Sequence, residues 1–128
     1  MSFDPESKIK NSEILFRAFH YDQWDYLKDR VSSSVFKSSN SISVDRDGER
    51  VEKDIISAFR TRKNYESCGL VKNLAQFYLE INCTLKPDKL PDNIYHALVD
   101  KLNGIGTTNS IARKLAKDSN LVIMAELK

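Results

Sequence analysis

Phe77-Tyr78-Leu79-Glu80-Ile81-Asn82-Cys83-Thr84-Leu85-Lys86 alternates apolar and polar side chains over ten positions and stops at Pro87. A strict period of two puts Phe77, Leu79, Ile81, Cys83 and Leu85 on one face of a β-strand and the polar residues on the other. The stretch therefore predicts a long, half-buried strand with Cys83 turned inward. Residues 69–76, just before it, either extend this strand or form a separate strand joined by a bulge.

Working outward, Pro91-Asp92-Asn93 is a turn and residues 94–99 (Ile-Tyr-His-Ala-Leu-Val) form another strand. Residues 110–118 predict a helix with Ile111 and Leu115 inward, Arg113, Lys114 and Lys117 outward, and Thr108 or Asn109 as its N-cap. A closing strand spans 121–125. Strand, helix and strand here make either a right-handed βαβ unit or a helix between non-adjacent antiparallel strands. On the N-terminal side, Val51, Ile55, Ile56 and Phe59 recur at helical spacing and predict an amphipathic helix over 49–62. Before it, residues 33–36 and 41–44 read as two short strands around the turn-forming Lys37-Ser38-Ser39-Asn40, a hairpin pattern. Asp22 to Asp29 is a short helix or structured loop, with Trp24 and Leu27 on one side. Five apolar residues in Ile14-Leu15-Phe16-Arg17-Ala18-Phe19-His20 mark core, as strand or helix. Residues 1–11 are polar, contain Pro5 and are expected to be loose. The sum is an α+β fold: one compact domain over 12–128, with a mainly antiparallel sheet of five or six strands and two packed helices.

Composition narrows the function classes. The 128 residues fit one domain. Twenty Lys and Arg against eighteen Asp and Glu give a net charge of +2 with the signs interspersed, so nucleic acid is not indicated by charge. The local cluster Arg60, Arg62 and Lys63 suits the dipole at a helix end. No apolar run reaches the ~20 residues of a membrane span, and the first residues show no export signal, so a cytoplasmic location is expected. Cys68, Cys83, His20 and His96 lack the short spacings of a zinc site, and neither a metal nor any other cofactor is expected.

Seven serines lie between positions 32 and 43. Hydroxyls and backbone amides beside an arginine can grip a phosphate or carboxylate, which makes Arg30 with Ser32, Ser33 and Ser34 a candidate anion site. The bland alternative is a solvated edge hairpin. His96, on the 94–99 strand, is the candidate general acid/base; if Ile94, His96 and Leu98 face the core, it needs a buried partner. A Ser34–His96–Asp92 set can be written, but no nucleophile elbow accompanies it. Arg17 joins this group if its segment is a strand, and Ser43 lies on the second serine strand. Gly104-Ile105-Gly106 leads into the last helix without the third glycine of a dinucleotide fingerprint or the Gly-Lys-Ser/Thr of a P-loop.

The elements Arg30-Val31-Ser32-Ser33-Ser34-Val35-Phe36, Ser41-Ile42-Ser43-Val44-Asp45 and Tyr95-His96-Ala97-Leu98-Val99 resemble a group of small, functionally uncharacterised bacterial proteins. That group shares an Arg-x-Ser-Ser-x-x-Phe element, a Ser-Val-Asp strand and a His-Ala-x-Val strand. The resemblance implies a bacterial or phage origin and places Arg30, Ser33, Ser34 and His96 in one site. The leading expectation is a binding or accessory protein whose pocket, from Arg17, Arg30, Ser32, Ser33, Ser34, Ser43 and His96, takes a phosphate-bearing ligand or a protein partner. The alternatives are an enzyme on a nucleotide or RNA end with His96 as acid/base, and a module pairing through an exposed sheet edge.

Overall fold

A computed structural model describes residues 3–62, 65–101 and 107–126, and in it the alternating stretch is split between a helix and a strand. Ala75–Glu80 is helical and Cys83–Pro87 is extended. Ala75 and Tyr78, three apart, are fully buried, whereas Leu79 is left 39% exposed. Helical spacing therefore decides which side chains enter the core here, against the alternation. Asn82, at φ +68°, takes the left-handed conformation that ends a helix and that asparagine tolerates. The alternation resumes only after it, and Cys83 does point inward.

In chain order the strands are β1 (Ile14–Phe19), β2 (Trp24–Asp25), β3 (Arg30–Val31), β4 (Ile42–Arg46), β5 (Gly69–Leu74), β6 (Cys83–Pro87), β7 (His96–Lys101) and β8 (Asn120–Ile123). The helices are α1 (Glu52–Arg60), α2 (Ala75–Glu80) and α3 (Asn109–Asp118). Six strands form one antiparallel sheet in the order β6-β7-β4-β1-β5-β8, and β2 and β3 pair separately. The molecule is a single α+β domain, with one helix, α2, beyond the two expected. Helix α3 carries the chain from β7 to the far edge strand β8, so it joins non-adjacent strands and makes no classical βαβ pairing. Of the two expected N-caps it is Thr108 that caps α3, accepting from Ile111 N. The glycine turn at 104–106 lies outside the described residues.

The serine hairpin does not form. Ser33–Val35 is a turn of 3-10 helix, β3 pairs with β2, and β4 inserts between β1 and β7. The physical reason is burial: the adjacent Val35 and Phe36 are both fully buried, which a strand cannot achieve on one face. Thr107 then staples this segment to the entry of α3. Its hydroxyl donates to Phe36 O and accepts from Ser38 N.

The sheet has two unequal faces. One carries the main core: Leu15, Phe19, Ile42, Val44, Val71, Ala97 and Val99 pack with Tyr78 of α2 and Ile111 and Leu115 of α3. Asn73 pins α3 down by donating to Leu115 O and to Asp118. The other face carries a smaller cluster in which Ile55 and Phe59 of α1 cover Phe16 and Leu70, ringed by β1 and β8 residues. Helix α1 thus shields the β1-β5-β8 half and leaves the β4-β7 half of that face without a helix.

The N-terminal segment, expected loose, is tied to the sheet. Ile9 is buried, and Arg46, 1% exposed, makes a two-pronged ion pair with Glu13 at 2.7 and 2.9 Å. The same guanidinium donates to the Pro5 and Ser7 carbonyls, and Phe3 stacks on Tyr95. Gly48, at φ +62°, lies against that tyrosine: a Cβ there would come within 2.3 Å of the Tyr95 ring.

Candidate functional site

The uncovered half-face holds the site. On β4, alternation turns Ile42, Val44 and Arg46 to one side and Ser43 and Asp45 to the other. The β4–β7 register sets Asp45 directly opposite His96, so His96 and Leu98 stand on this face while Ala97 and Val99 enter the core. Of the two faces the sequence leaves open for this strand, the core therefore takes Ala97 and Val99, and Ile94 is 43% exposed in the turn before β7.

Ser43, Asp45 and His96 line a cavity of about 470 Å3 between the sheet, the end of α1 and the turn before β7. Phe16, Ala18, Phe59 and Leu70 give it an apolar wall, and Ser43, Asp45, Arg62, Asp92, Asn93 and His96 a polar one. Tyr65, stacked on Phe59 at 5.2 Å, lines it too. The volume is of the kind that small-molecule sites occupy, roughly 300–1,000 Å3.

Each polar group has a distinct degree of engagement. His96 Nδ1 lies 2.9 Å from Asp88 O and 3.1 Å from Asp88 Oδ2. A carbonyl oxygen can only accept, so Nδ1 carries a hydrogen and the neutral ring keeps its lone pair on Nε2. Nε2 has no partner among the described residues. Asp45 Oδ1 accepts from Asn93 Nδ2 at 2.8 Å. Asn93, nearly buried, is itself fixed because its Oδ1 accepts from Tyr95 N and its backbone pairs with Leu90. Arg62 is the loosest: its Nη1 is 3.9 Å from Asp45 Oδ2 and its guanidinium is 6.0 Å above Tyr65.

Arg17 belongs to the neighbouring wall. Strands β1 and β4 pair at Leu15–Arg46 and Phe16–Asp45 and then part. Into the gap goes the Arg17 guanidinium, which donates to Val35 O at 2.6 Å and to Ser43 O at 2.7 Å. Burial holds its pKa below the ordinary guanidinium value, with Tyr78 and Tyr65 opposing. Arg17 lines a second cavity of about 280 Å3 that shares Ala18, Ser43 and Tyr65 with the first.

The seven sequence candidates therefore divide. Ser43 and His96 line the first cavity, and Arg17 and Ser43 the second. Arg30, on the small β2–β3 pair, and Ser32, Ser33 and Ser34 line neither. Ser32 and Ser34 hydrogen-bond each other at 2.6 Å, and Ser34 accepts from Gln23 at 3.4 Å. The carboxylate beside His96 is Asp88, so the written Ser34–His96–Asp92 set is not assembled. Asp88, Asn93, Tyr65 and Arg62 were not among the candidates. Arg62 had a plain reading as a helix-end cation, but α1 ends at Arg60, two residues short of it.

Among the described residues no group of three or more His, Cys, Asp and Glu side chains is placed to hold a metal ion, and no helix is long and apolar enough to cross a membrane. Comparison with known proteins finds no matching family model, curated protein or solved structure.

Proposed function

We propose that the protein is a small binding or accessory protein of the cytoplasm that holds a phosphate-bearing ligand in the Asp45–Arg62–His96 cavity. The observation that carries this is the spare capacity of Arg62. Arg17, Arg46 and Arg50 each already donate to two or more of the protein's own oxygens. Arg62 faces the cavity, and among the described residues its guanidinium has no hydrogen bond and only the ion pair with Asp45 at 3.9 Å. A phosphate there would receive the two-pronged grip that arginine gives oxyanions, and His96, its Nδ1–H held by Asp88, would present Nε2 to a hydroxyl or amine of the same ligand. Asp45 and Asp92 favour a ligand that also offers hydroxyl or amine donors, and Tyr65 beside the apolar wall favours a ring. A nucleotide or sugar phosphate has these parts.

Calorimetric titration with adenosine monophosphate, ribose 5-phosphate and inorganic phosphate tests this. At least one organic phosphate should bind, and Arg62→Ala should weaken it about a hundredfold, as loss of a charge-assisted pair implies. Arg30→Ala should leave it unchanged. No binding by any of the three, or equal binding by Arg62→Ala, would sink the proposal.

The Asp88–His96 pair supports a second reading, an enzyme on a nucleotide or RNA end with His96 as general acid/base. Turnover of a bound nucleotide that is lost in His96→Gln would favour it over binding alone. Edge pairing has less behind it: β6 ends on Pro87 and carries Lys86, and β8 is four residues long with a shifted register. Such features blunt an edge.

A further inference from the structure

We propose that Cys68 is a nucleophilic thiol with His20 as its base, a site in the cavity adjoining that of His96, whose reagent is a small disulfide bearing carboxylates. The β1–β5 register produces it. Residue pairs run from Ile14–Leu74 to Phe19–Gly69, so His20 and Cys68 are the next facing pair, just past the end of the ladder. Facing positions on antiparallel strands bring Cβ atoms within about 5.5 Å, and here Cys68 Sγ lies 3.5 Å from His20 Nδ1. Both backbones are held. His20 N donates to Gln23 Oε1, its carbonyl accepts from Gln23 N, and Cys68 N donates to Tyr65 O.

Both side chains line the 280 Å3 cavity, so the sulfur is approachable although the residue is only 8% exposed. Among the described residues Arg17 lines the same cavity and no carboxylate does, and its Nη2, beyond the Nε and Nη1 that bind Val35 O and Ser43 O, favours an anionic reagent. Burial pushes the Cys68 thiol up, so the reaction starts from the thiol and needs a proton acceptor. In the step, the Sγ–H proton passes to His20 Nδ1 as the sulfur attacks one disulfide sulfur. The S–S bond breaks, its electron pair leaves with the other sulfur as a thiolate, and Cys68 is left as a mixed disulfide. The disulfide is the oxidant, and no other is required.

Cys83 is the internal control. It is 3% exposed, lines neither cavity, and its thiol is pushed up to about 11 by burial. The folded protein is treated with dithiobis(nitrobenzoate) and with the neutral dithiodipyridine, and labelling is followed at each cysteine by peptide mass. Cys68 should react at least tenfold faster than Cys83 with the carboxylated reagent, and its lead should shrink with the neutral one. His20→Ala and His20→Gln, at an exposed position, should each slow Cys68 about tenfold, because neither retains a basic nitrogen. Equal wild-type rates at the two cysteines, or a Cys68 rate unchanged by both His20 substitutions, would overturn the proposal. The wild-type comparison decides even if a variant folds poorly.

Discussion

Asp45 and Arg46 are consecutive residues that serve opposite ends. Arg46 turns to the buried side, where its guanidinium meets Glu13 twice and the Pro5 and Ser7 carbonyls besides. Asp45 turns to the cavity, where one oxygen is held by Asn93 and the other reaches Arg62 only at 3.9 Å. Both regions contain an arginine and a carboxylate, yet one is closed and saturated while the other has capacity left. A saturated charge holds the chain in place, and an unsaturated one beside a cavity is available to a ligand. Charge alone does not distinguish them; the count of engaged donors does.

The largest effect should come from opening the closed region. Arg46→Ala leaves the Glu13 carboxylate, 13% exposed, without its partner and strips two carbonyls of a donor. Removing one member of a buried pair costs about 3–5 kcal/mol, and urea unfolding should show a loss of that order. Arg46→Met with Glu13→Leu should recover much of it, because no charge is then stranded. A loss below about 1 kcal/mol for the single variant, the range of exposed pairs, would erase the contrast between the two regions.

How much of this the sequence holds depends on how far apart the deciding residues are. Helices α1 and α3 were legible because their apolar stripes and the Thr108 cap lie within a few residues of one another. The segment 77–81 was not, since five alternating residues fit a strand as well as one helical turn, and the burial of Ala75 and Tyr78 that decides it is tertiary. Val35 and Phe36 misled in the same way. The site was harder still: Asp45 meets His96, and His20 meets Cys68, only through strand register, which no local pattern encodes. The Glu13–Arg46 pair spans 33 positions, so a polar N-terminus looked loose.

Asn93→Ala probes the join between the regions. Asn93 links the turn before β7 to Asp45, and Tyr95, the residue whose carbonyl accepts from Arg46 N, donates to the Asn93 side chain. Losing a nearly buried amide with two such bonds should cost about 1–3 kcal/mol in the same urea assay. It should also weaken phosphate-ligand binding, since Asp45 loses the contact that keeps its other oxygen toward Arg62. A variant as stable as wild type but defective in binding would assign Asn93 to the cavity alone.

Arg62→Ala should barely move stability, and that small number is the sharpest comparison with Arg46. An ion pair at 3.9 Å between groups about 30% exposed contributes within roughly 0.5 kcal/mol after screening and side-chain entropy. The guanidinium also gives up a 6.0 Å approach to Tyr65, at the limit where a cation–π contact counts. The urea midpoint should therefore stay close to that of the wild type while ligand affinity falls. A stability loss approaching that of Arg46→Ala would mean that Arg62 is held more tightly than its distances indicate, and a charge already committed to the fold has little left to give a ligand.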